Sequence, residues 1–273
     1  MPKISILIAT RDRAHLIGRA IESVLKQTFT DWEIIVADDA STDNTREIID
    51  KLAMTNSKIK YLNSNTNVGI ARISNKALRE AKGEYIAILD DDDYWSDSDK
   101  LKKQVEFLEK NQEYIGVGGG VIVVDKNNKE LFRYLKPETD DQIRKKMLFD
   151  NPMANSATLF RRSVAEKVGL YDESLRYSAD RDFWLKIGLI GKLYNFPEYF
   201  TYYLMAGQNT SIVKMRDHLN SSLRAMRRYK NQYPYYRLAL IFNRTQYAYA
   251  FLPNWIKKLL HLTLAKIKRL VFN

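Results

Sequence analysis

Tyr85-Ile86-Ala87-Ile88-Leu89-Asp90-Asp91-Asp92-Asp93 is a run of five apolar residues that ends in four consecutive carboxylates. A short apolar run of this kind is typical of a strand that is buried on both faces of a sheet. Three further segments that are typical of strands precede it, and segments with helical periodicity separate them. The predicted strands are 4–9, 32–37, 59–62 and 85–89, and the predicted helices are 16–25, 48–52 and 71–81. This alternation predicts an α/β fold with a mainly parallel central sheet and helices on both faces.

The second half of the chain is less regular. Its patterns predict helices at 101–108, 164–168 and 183–190 and strands at 116–124 and 157–160. After Ser211 the composition changes to Arg, Lys and Tyr, and we place a domain boundary there. The predicted organisation is a domain of residues 1–213, with a nucleotide-binding half at 1–100 and an acceptor half at 101–213, followed by a basic helical extension at 214–273.

The length and the amino-acid composition limit which kinds of protein and which kinds of site are possible. The 273 residues can bury one sizeable core, and the absence of cysteine excludes disulfides, thiolate metal sites and a cysteine nucleophile. We expect no transmembrane helix and no signal peptide, because the apolar runs are too short. The net charge is +11, and residues 214–273 hold all of the excess with thirteen Lys and Arg and one acid. The basic balance therefore describes the extension and not the domain.

The acidic ends of the strands are the candidate sites. Four adjacent carboxylates repel one another at low dielectric, and a divalent cation with a preference for oxygen ligands relieves that repulsion. Ligands also bind beyond the carboxyl ends of parallel strands, where Asp90–Asp93 and the pair Asp38-Asp39 both lie. The alternatives are a solvated acidic turn at the first cluster and a helix cap at the second. We favour a Mg²⁺ or Mn²⁺ site after residue 89.

These motifs together resemble the family-2 glycosyltransferases of GT-A fold. The resemblance is collinear over residues 1–110 and looser to about 211, and its motifs are Thr10-Arg11-Asp12, Ala37-Asp38-Asp39-Ala40-Ser41-Thr42-Asp43, Asn67-Val68-Gly69 with Arg72 and Asn75, Gly83-Glu84-Tyr85, and Leu89-Asp90-Asp91-Asp92-Asp93-Tyr94-Trp95. It implies an inverting enzyme that uses a nucleotide sugar. Arg11 stands where an aromatic residue often stacks on the base, so the nucleotide stays open.

The resemblance also implies roles by position. Thr10 and Asp39 would contact the nucleobase, commonly uracil, and Arg72 would lie near the diphosphate, although it could equally be an ordinary surface arginine. Asp90 and Asp92 match the outer acids of the family's Asp-x-Asp motif. The expected donor-binding residues are Thr10, Asp12, Asp39, Arg72, Asp90 and Asp91, and the expected metal ligands are Asp92, the direct one, and Asp93.

The expected general base is Asp180, in Ser178-Ala179-Asp180-Arg181-Asp182-Phe183-Trp184. The family usually has Glu-Asp at this place, and the Asp of that pair is the base. Ala179 replaces the Glu here. The alternative is that Asp180 or Asp182 only caps the helix that follows.

The end of the chain has a pattern of its own. From Trp255 to Val271 the apolar residues fall on one helical face and the basic residues on the other, which suits a helix lying on an anionic membrane surface. The alternative is a helix that packs on the core or on a neighbouring subunit of a homo-oligomer.

The sequence thus predicts transfer of a sugar from a nucleoside diphosphate sugar, with UDP favoured, to a hydroxyl of a glycan or lipid-linked acceptor. The resemblance suggests bacterial surface polysaccharide synthesis, in the cytoplasm or peripherally on the inner face of the plasma membrane. The alternatives are a nucleotidyltransferase, which also needs acid-held Mg²⁺, and a nucleic-acid-binding protein that acts through the basic extension. Nucleic acid is not the expected partner.

Overall fold

The computed structural model describes residues 1–205 and 214–252. Within these ranges, no helix combines the length and the apolar character that crossing a membrane requires. The amphipathic segment 255–271 that the sequence analysis singled out lies outside the described residues.

The first half of the chain is a parallel βα array. Its elements are β1 Ile4–Thr10, α1 Ala14–Leu25, β2 Trp32–Asp38, α2 Thr45–Thr55, β3 Ile59–Asn63, α3 Ile70–Glu80 and β4 Tyr85–Ile88. β1 pairs in parallel with β2 and β4, and β2 pairs in parallel with β3. Every residue of β2 and of β4 is buried, including Glu33 and Asp38 of β2.

The second half adds strands of both directions. Its elements are β5 Tyr94–Trp95, α4 Lys100–Lys110, β6 Tyr114–Val124, β7 Glu130–Tyr134, α5 Asp140–Lys146, a 3₁₀ turn Asn155–Ala157, β8 Leu159–Arg161, α6 Arg162–Lys167, α7 Ala179–Ile187, β9 Lys192–Leu204, α8 Met215–Arg228 and α9 Tyr236–Tyr249. The strand order is β3-β2-β1-β4-β8-β6-β9-β5, with β7 also paired to β6. β8 is antiparallel to both β4 and β6, so the sheet is parallel in its first half and mixed in its second.

Helices cover both faces of the sheet, as predicted. α1, α2 and α4 bury apolar side chains against one face. The other face carries α3 and α5–α9 around Phe183 and Trp184. Two of these helices, α8 and α9, come from the basic extension, yet Leu223, Met226 and Ala239 are buried in the same core as α7. The described part of the extension therefore packs on the domain.

Candidate functional site

The acidic run forms a turn directly after β4. The backbone N–H of Asp93 donates to the carbonyl oxygen of Asp90 at 3.1 Å, which closes the turn. Asp90, Asp91 and Asp92 are half-buried, while Asp93 is only 3% exposed. The turn therefore points one carboxylate inward and leaves three at the edge of the sheet.

The 3₁₀ turn after residue 154 holds this acidic turn in place. The hydroxyl of Ser156 accepts the backbone N–H of Asp90 at 3.1 Å and donates to Oδ2 of Asp93 at 2.5 Å. Nδ2 of Asn155 donates to Oδ1 of Asp90 at 2.8 Å. The backbone N–H of Leu204 donates to the other oxygen of Asp93 at 3.3 Å. Asn155 and Ser156 are residues of this candidate site that the sequence did not reveal, since single polar residues in a loop carry no pattern.

The carboxylates are crowded and partly desolvated. Burial, followed by the charge of Asp92 and then that of Asp180, raises the pKa of Asp90 to about 7. Burial and then the charge of Asp92 raise the pKa of Asp91 to about 7 as well. Burial also raises the pKa of Asp92, although the guanidinium groups of Arg13 and Arg19 oppose it. The cluster therefore resists full ionisation unless a cation joins it.

The carboxylate oxygens of the acidic turn suit a divalent ion whose coordination shell is completed by a bound ligand. No group of three or more His, Cys, Asp or Glu residues is arranged to hold a metal in the described ranges. Mg²⁺ and similar ions often take one or two carboxylates and complete their shell with substrate phosphates and water. Both oxygens of Asp93 already accept hydrogen bonds, which favours Asp92 as the direct ligand. Asp93 as a second ligand stays a prediction.

The end of β2 supplies the second acidic group. The carboxylate of Asp39 accepts the backbone N–H groups of Val68 at 2.7 Å and Gly69 at 2.9 Å, just before α3. The backbone N–H of Asp39 donates to the carbonyl oxygen of Thr10 at 2.9 Å, so the ends of β1 and β2 are tied together. Asp38 instead accepts the hydroxyl of Tyr61 at 2.7 Å and lies in the core.

Asp12 links two loops above these strand ends. Its Oδ1 accepts the backbone N–H of Thr42 at 2.7 Å, and its own N–H donates to the hydroxyl of Ser41 at 2.9 Å. The N–H of Thr42 is the main reason that the pKa of Asp12 is lowered. Asp12 therefore shapes the loop, and contact with a donor stays a prediction.

Arg72 lies in the first turn of α3 and is exposed. Its Nε is 3.3 Å from Oε2 of Glu173, so in this structure it is part of an ion pair. Exchange of that partner for a phosphate group would be needed for the predicted contact with a diphosphate.

Asp180 lies in the first turn of α7, and its carboxylate is close enough to Asp90 to raise the pKa of that residue. Oδ2 of Asp180 accepts a hydrogen bond from Nδ2 of Asn151 at 3.0 Å. The structure thus brings the candidate base to the acidic turn, although 90 residues separate them in sequence. Asn151 is a further residue that sequence reasoning missed.

Comparison with known proteins decides the family. The family model described as glycosyl transferase family 2 matches residues 5–169, which include both acidic strand ends and the 3₁₀ turn. The chain belongs to this family.

Relatives of this family-2 glycosyltransferase act on lipid-linked and polysaccharide substrates. One of them is the UDP-Glc:α-D-GlcNAc-diphosphoundecaprenol β-1,3-glucosyltransferase WfgD of Escherichia coli, which is 37% identical over 135 residues. That match covers 50% of this chain and 51% of the relative. Matches to the first three curated relatives span 51% to 68% of their lengths.

Solved structures share the fold of this family-2 glycosyltransferase. Residues 1–349 of Staphylococcus aureus TarS in complex with UDP align with a TM-score of 0.64 at 20% identity, over 88% of this chain and 70% of that one. The mannosyltransferase PcManGT of Pyrobaculum calidifontis, in complex with GDP-Man and Mn²⁺, aligns with a TM-score of 0.61 at 19% identity, over 98% of this chain and 80% of that one. The predicted GT-A fold is confirmed.

Proposed function

We propose that this family-2 glycosyltransferase is an inverting, metal-dependent enzyme that transfers a sugar from a UDP-sugar to a hydroxyl of a glycan or lipid-linked acceptor in bacterial surface polysaccharide synthesis. One observation carries the proposal: the half-buried acidic turn at residues 90–93 directly follows the buried strand β4, at the same edge of the sheet as the ends of β1 and β2. That arrangement supports a site for a phosphorylated donor, and the charge of Asp180, which contributes to the raised pKa of Asp90, supports a base for an acceptor nearby.

The donor side is the edge of the sheet where β1, β2 and β4 end. Thr10 and Asp39 would contact the nucleobase there, Asp91 would contact the ribose or the donor sugar, and Asp90 would also bind the donor. Support comes from their position at the carboxyl ends of parallel strands. The UDP bound to TarS and the UDP-glucose in the name of WfgD favour a UDP-sugar for this chain too.

The metal would be held by Asp92 together with the phosphates of the donor. When bound, Mn²⁺ or Mg²⁺ would neutralise the charge that grows on the departing diphosphate. Mn²⁺ is present with GDP-Man in the mannosyltransferase of similar fold, which supports this assignment. Arg13 and Arg19 contribute further positive charge beside Asp92.

Asp180 would act as the general base. Its carboxylate removes the proton from the acceptor hydroxyl as that oxygen attacks the anomeric carbon. A single displacement of this kind inverts the configuration. Asp180 is half-buried and therefore partly open to solvent, which supports this role.

The proposal extends to location. A lipid-linked acceptor, as in WfgD, would place the enzyme peripherally at a membrane with an anionic surface. Binding to that surface through residues 214–273, and self-association through the same residues, both stay predictions.

The decisive experiment is a donor panel with the wild-type chain and the Asp180→Asn variant. We expect thermal stabilisation by one UDP-sugar with Mn²⁺, loss of that stabilisation with a chelator, and release of UDP in the presence of acceptor. Asp180→Asn should keep donor binding and lose transfer by about 10²- to 10⁴-fold, because general base catalysis contributes that much.

Two results would contradict the proposal. Release of pyrophosphate instead of UDP would indicate nucleotidyl transfer. Donor binding and transfer that persist unchanged in a chelator would exclude the metal role.

A further inference from the structure

Asn151 contacts the candidate base with an amide whose orientation is fixed. Its Oδ1 accepts the backbone N–H of Met153 at 3.2 Å, so its Nδ2 must point the other way. Nδ2 donates to Oδ2 of Asp180 at 3.0 Å. An N–H group can act only as a donor, and the contact with Met153 therefore determines which amide atom faces the carboxylate.

The loop that carries Asn151 is anchored on both sides. Nη2 of Arg181 donates to the carbonyl oxygen of Leu148 at 2.6 Å, and Nδ2 of Asn243 donates to the same oxygen at 3.0 Å. After Asn151, the carbonyl oxygen of Pro152 accepts Nδ2 of Asn195 at 3.1 Å. The loop is therefore held before and after the residue that touches the base.

The anchors on the first side come from two helices, and a third helix holds one of these anchors. Arg181 is 6% exposed and follows Asp180 on α7, while Asn243 is 1% exposed and lies on α9. Nη1 of Arg181 also donates to Oδ1 of Asn243 at 3.2 Å and to the hydroxyl of Ser222 on α8. Burial of a guanidinium group is tolerated where its N–H groups have hydrogen-bond acceptors. Here those acceptors link α7, the helix that carries Asp180, to the loop and to α8 and α9.

The contact with Asn151 involves one of the two carboxylate oxygens of Asp180. Among the described residues, Asn151 is the one that donates a side-chain hydrogen bond to Asp180, and it occupies Oδ2. Oδ1 of Asp180 receives no hydrogen bond within the same ranges, so it is available for an acceptor hydroxyl. Fixing one oxygen of a carboxylate sets the direction of the other, and proton transfer depends on that direction.

We propose that Asn151 is a positioning residue for Asp180, and that Arg181 and Asn243 extend this positioning to helices α8 and α9. The inference rests on the proposed function, since it assigns a partner to the proposed base. It makes residues 214–252 a support of the catalytic site rather than a separate extension.

The test is a double-mutant cycle with Asn151→Ala and Asp180→Asn. Asn151→Ala alone should lower kcat by about 10- to 100-fold, because a misplaced catalytic group can cost up to about that much. KM for the donor should stay within about twofold, since the amide does not touch the donor side. In the Asp180→Asn background, Asn151→Ala should have no further effect on kcat, because Asn151 acts through the carboxylate that is already lost.

A second variant separates positioning from loop folding. Asn151→Asp keeps the size of the side chain and an oxygen for Met153, but it puts a carboxylate where the donor was. It should lose at least as much kcat as Asn151→Ala while its melting temperature stays closer to wild type. The matched control is Asn231→Ala, an exposed asparagine in the turn after α8, which should behave as wild type.

Asn243→Ala tests whether the positioning of Asp180 depends on helix α9. We expect a loss of about tenfold in kcat with donor KM unchanged, measured well below its melting temperature. A lower melting temperature with full kcat would overturn the part of the proposal that concerns α8 and α9.

The outcomes distinguish the two proposals. If the wild-type chain transfers sugar and Asn151→Ala is fully active, the positioning role is wrong and the function stands. Additive losses in the cycle would likewise overturn it. If Asp180→Asn is fully active, Asp180 is not the base and the positioning role falls with it. If wild type transfers no sugar from any donor, the proposed function itself fails.

Discussion

Asp92 and Asp93 are neighbours in sequence, yet the fold gives them different environments. Asp93 points inward, where Ser156 and the backbone of Leu204 bind both of its oxygens. Asp92 stays at the edge, near Arg13 and Arg19. A run of four identical residues could not reveal this difference, because it depends on a 3₁₀ turn more than sixty residues later in the chain.

Ser156→Ala tests the two hydrogen bonds by which Ser156 holds the acidic turn. The change removes the hydroxyl that accepts from the N–H of Asp90 and donates to Asp93, so a part-buried N–H and a buried carboxylate each lose a partner. We expect a loss of about 1–3 kcal/mol in the free energy of unfolding, measured by urea denaturation. Donor affinity with Mn²⁺ should fall as well, since the acidic turn loses its support.

Ser57→Ala is the control for that change, because Ser57 is exposed in a surface turn. It should alter the free energy of unfolding by less than about 0.5 kcal/mol. If Ser156→Ala changes the free energy of unfolding as little as Ser57→Ala does and binds the donor normally, the hydrogen bonds of Ser156 do not stabilise the acidic turn.

At the scale of elements, the apolar pattern was enough for the first half of the chain. Strands and helices up to β4 follow the predicted order because β1, β2 and β4 are buried on both faces and each helix has one apolar stripe. β9 was not predicted, because Pro197 and a mixed run of aromatic and polar residues obscure its period. β7 was missed because all five of its residues are exposed, so it has no buried face to recognise.

Gly83→Ala tests how β4 approaches β1. A Cβ atom at residue 83 would lie 2.4 Å from the backbone nitrogen of Ser5 and 2.6 Å from the carbonyl carbon of Ile4. Because backbone atoms cannot move aside as a side chain can, we expect a loss of about 3 kcal/mol in the free energy of unfolding. Urea denaturation followed by circular dichroism measures it.

Gly18→Ala is the matched control, because a Cβ atom there meets nothing within 4 Å in helix α1. It should stabilise the protein by about 0.5–1 kcal/mol, as alanine does in place of glycine inside a helix. Equal stability of the two variants would mean that β1 and β4 can separate without cost.

At the scale of the whole molecule, net charge and packing describe the basic extension differently. Residues 214–273 hold the positive excess, which suggested an extension apart from the domain. The described part of it is amphipathic instead: α8 and α9 keep most of their arginines outside and bury Leu223, Met226 and Ala239 in the common core. Amino-acid composition counts the exposed and the buried residues of a helix alike, so it could not show this packing.

Arg228→Gln tests the attachment of α8 to the domain. Nη1 of Arg228 contacts the carboxylate of Asp172 and lies 3.3 Å from Oδ1 of the buried Asp182 on α7. Burial raises the pKa of Asp172, but the hydrogen bonds from Ser174 and Arg228 outweigh it and hold that pKa at about 2, below the ordinary 3.8. Because the pKa in the folded state is depressed, the stabilisation is complete above about pH 4 and is lost as the pH falls through 2.

We therefore expect Arg228→Gln to lower the free energy of unfolding by about 1–2 kcal/mol at pH 7, with a difference from wild type that shrinks between pH 4 and pH 2. Urea denaturation at pH 7, 4 and 3 measures this difference. Arg227→Gln removes the same charge from an exposed neighbour that makes no ion pair in the described ranges, so it should leave stability within about 0.5 kcal/mol at every pH. If the two variants respond alike, general repulsion among the basic residues, and not the pairs with Asp172 and Asp182, determines how firmly α8 is held.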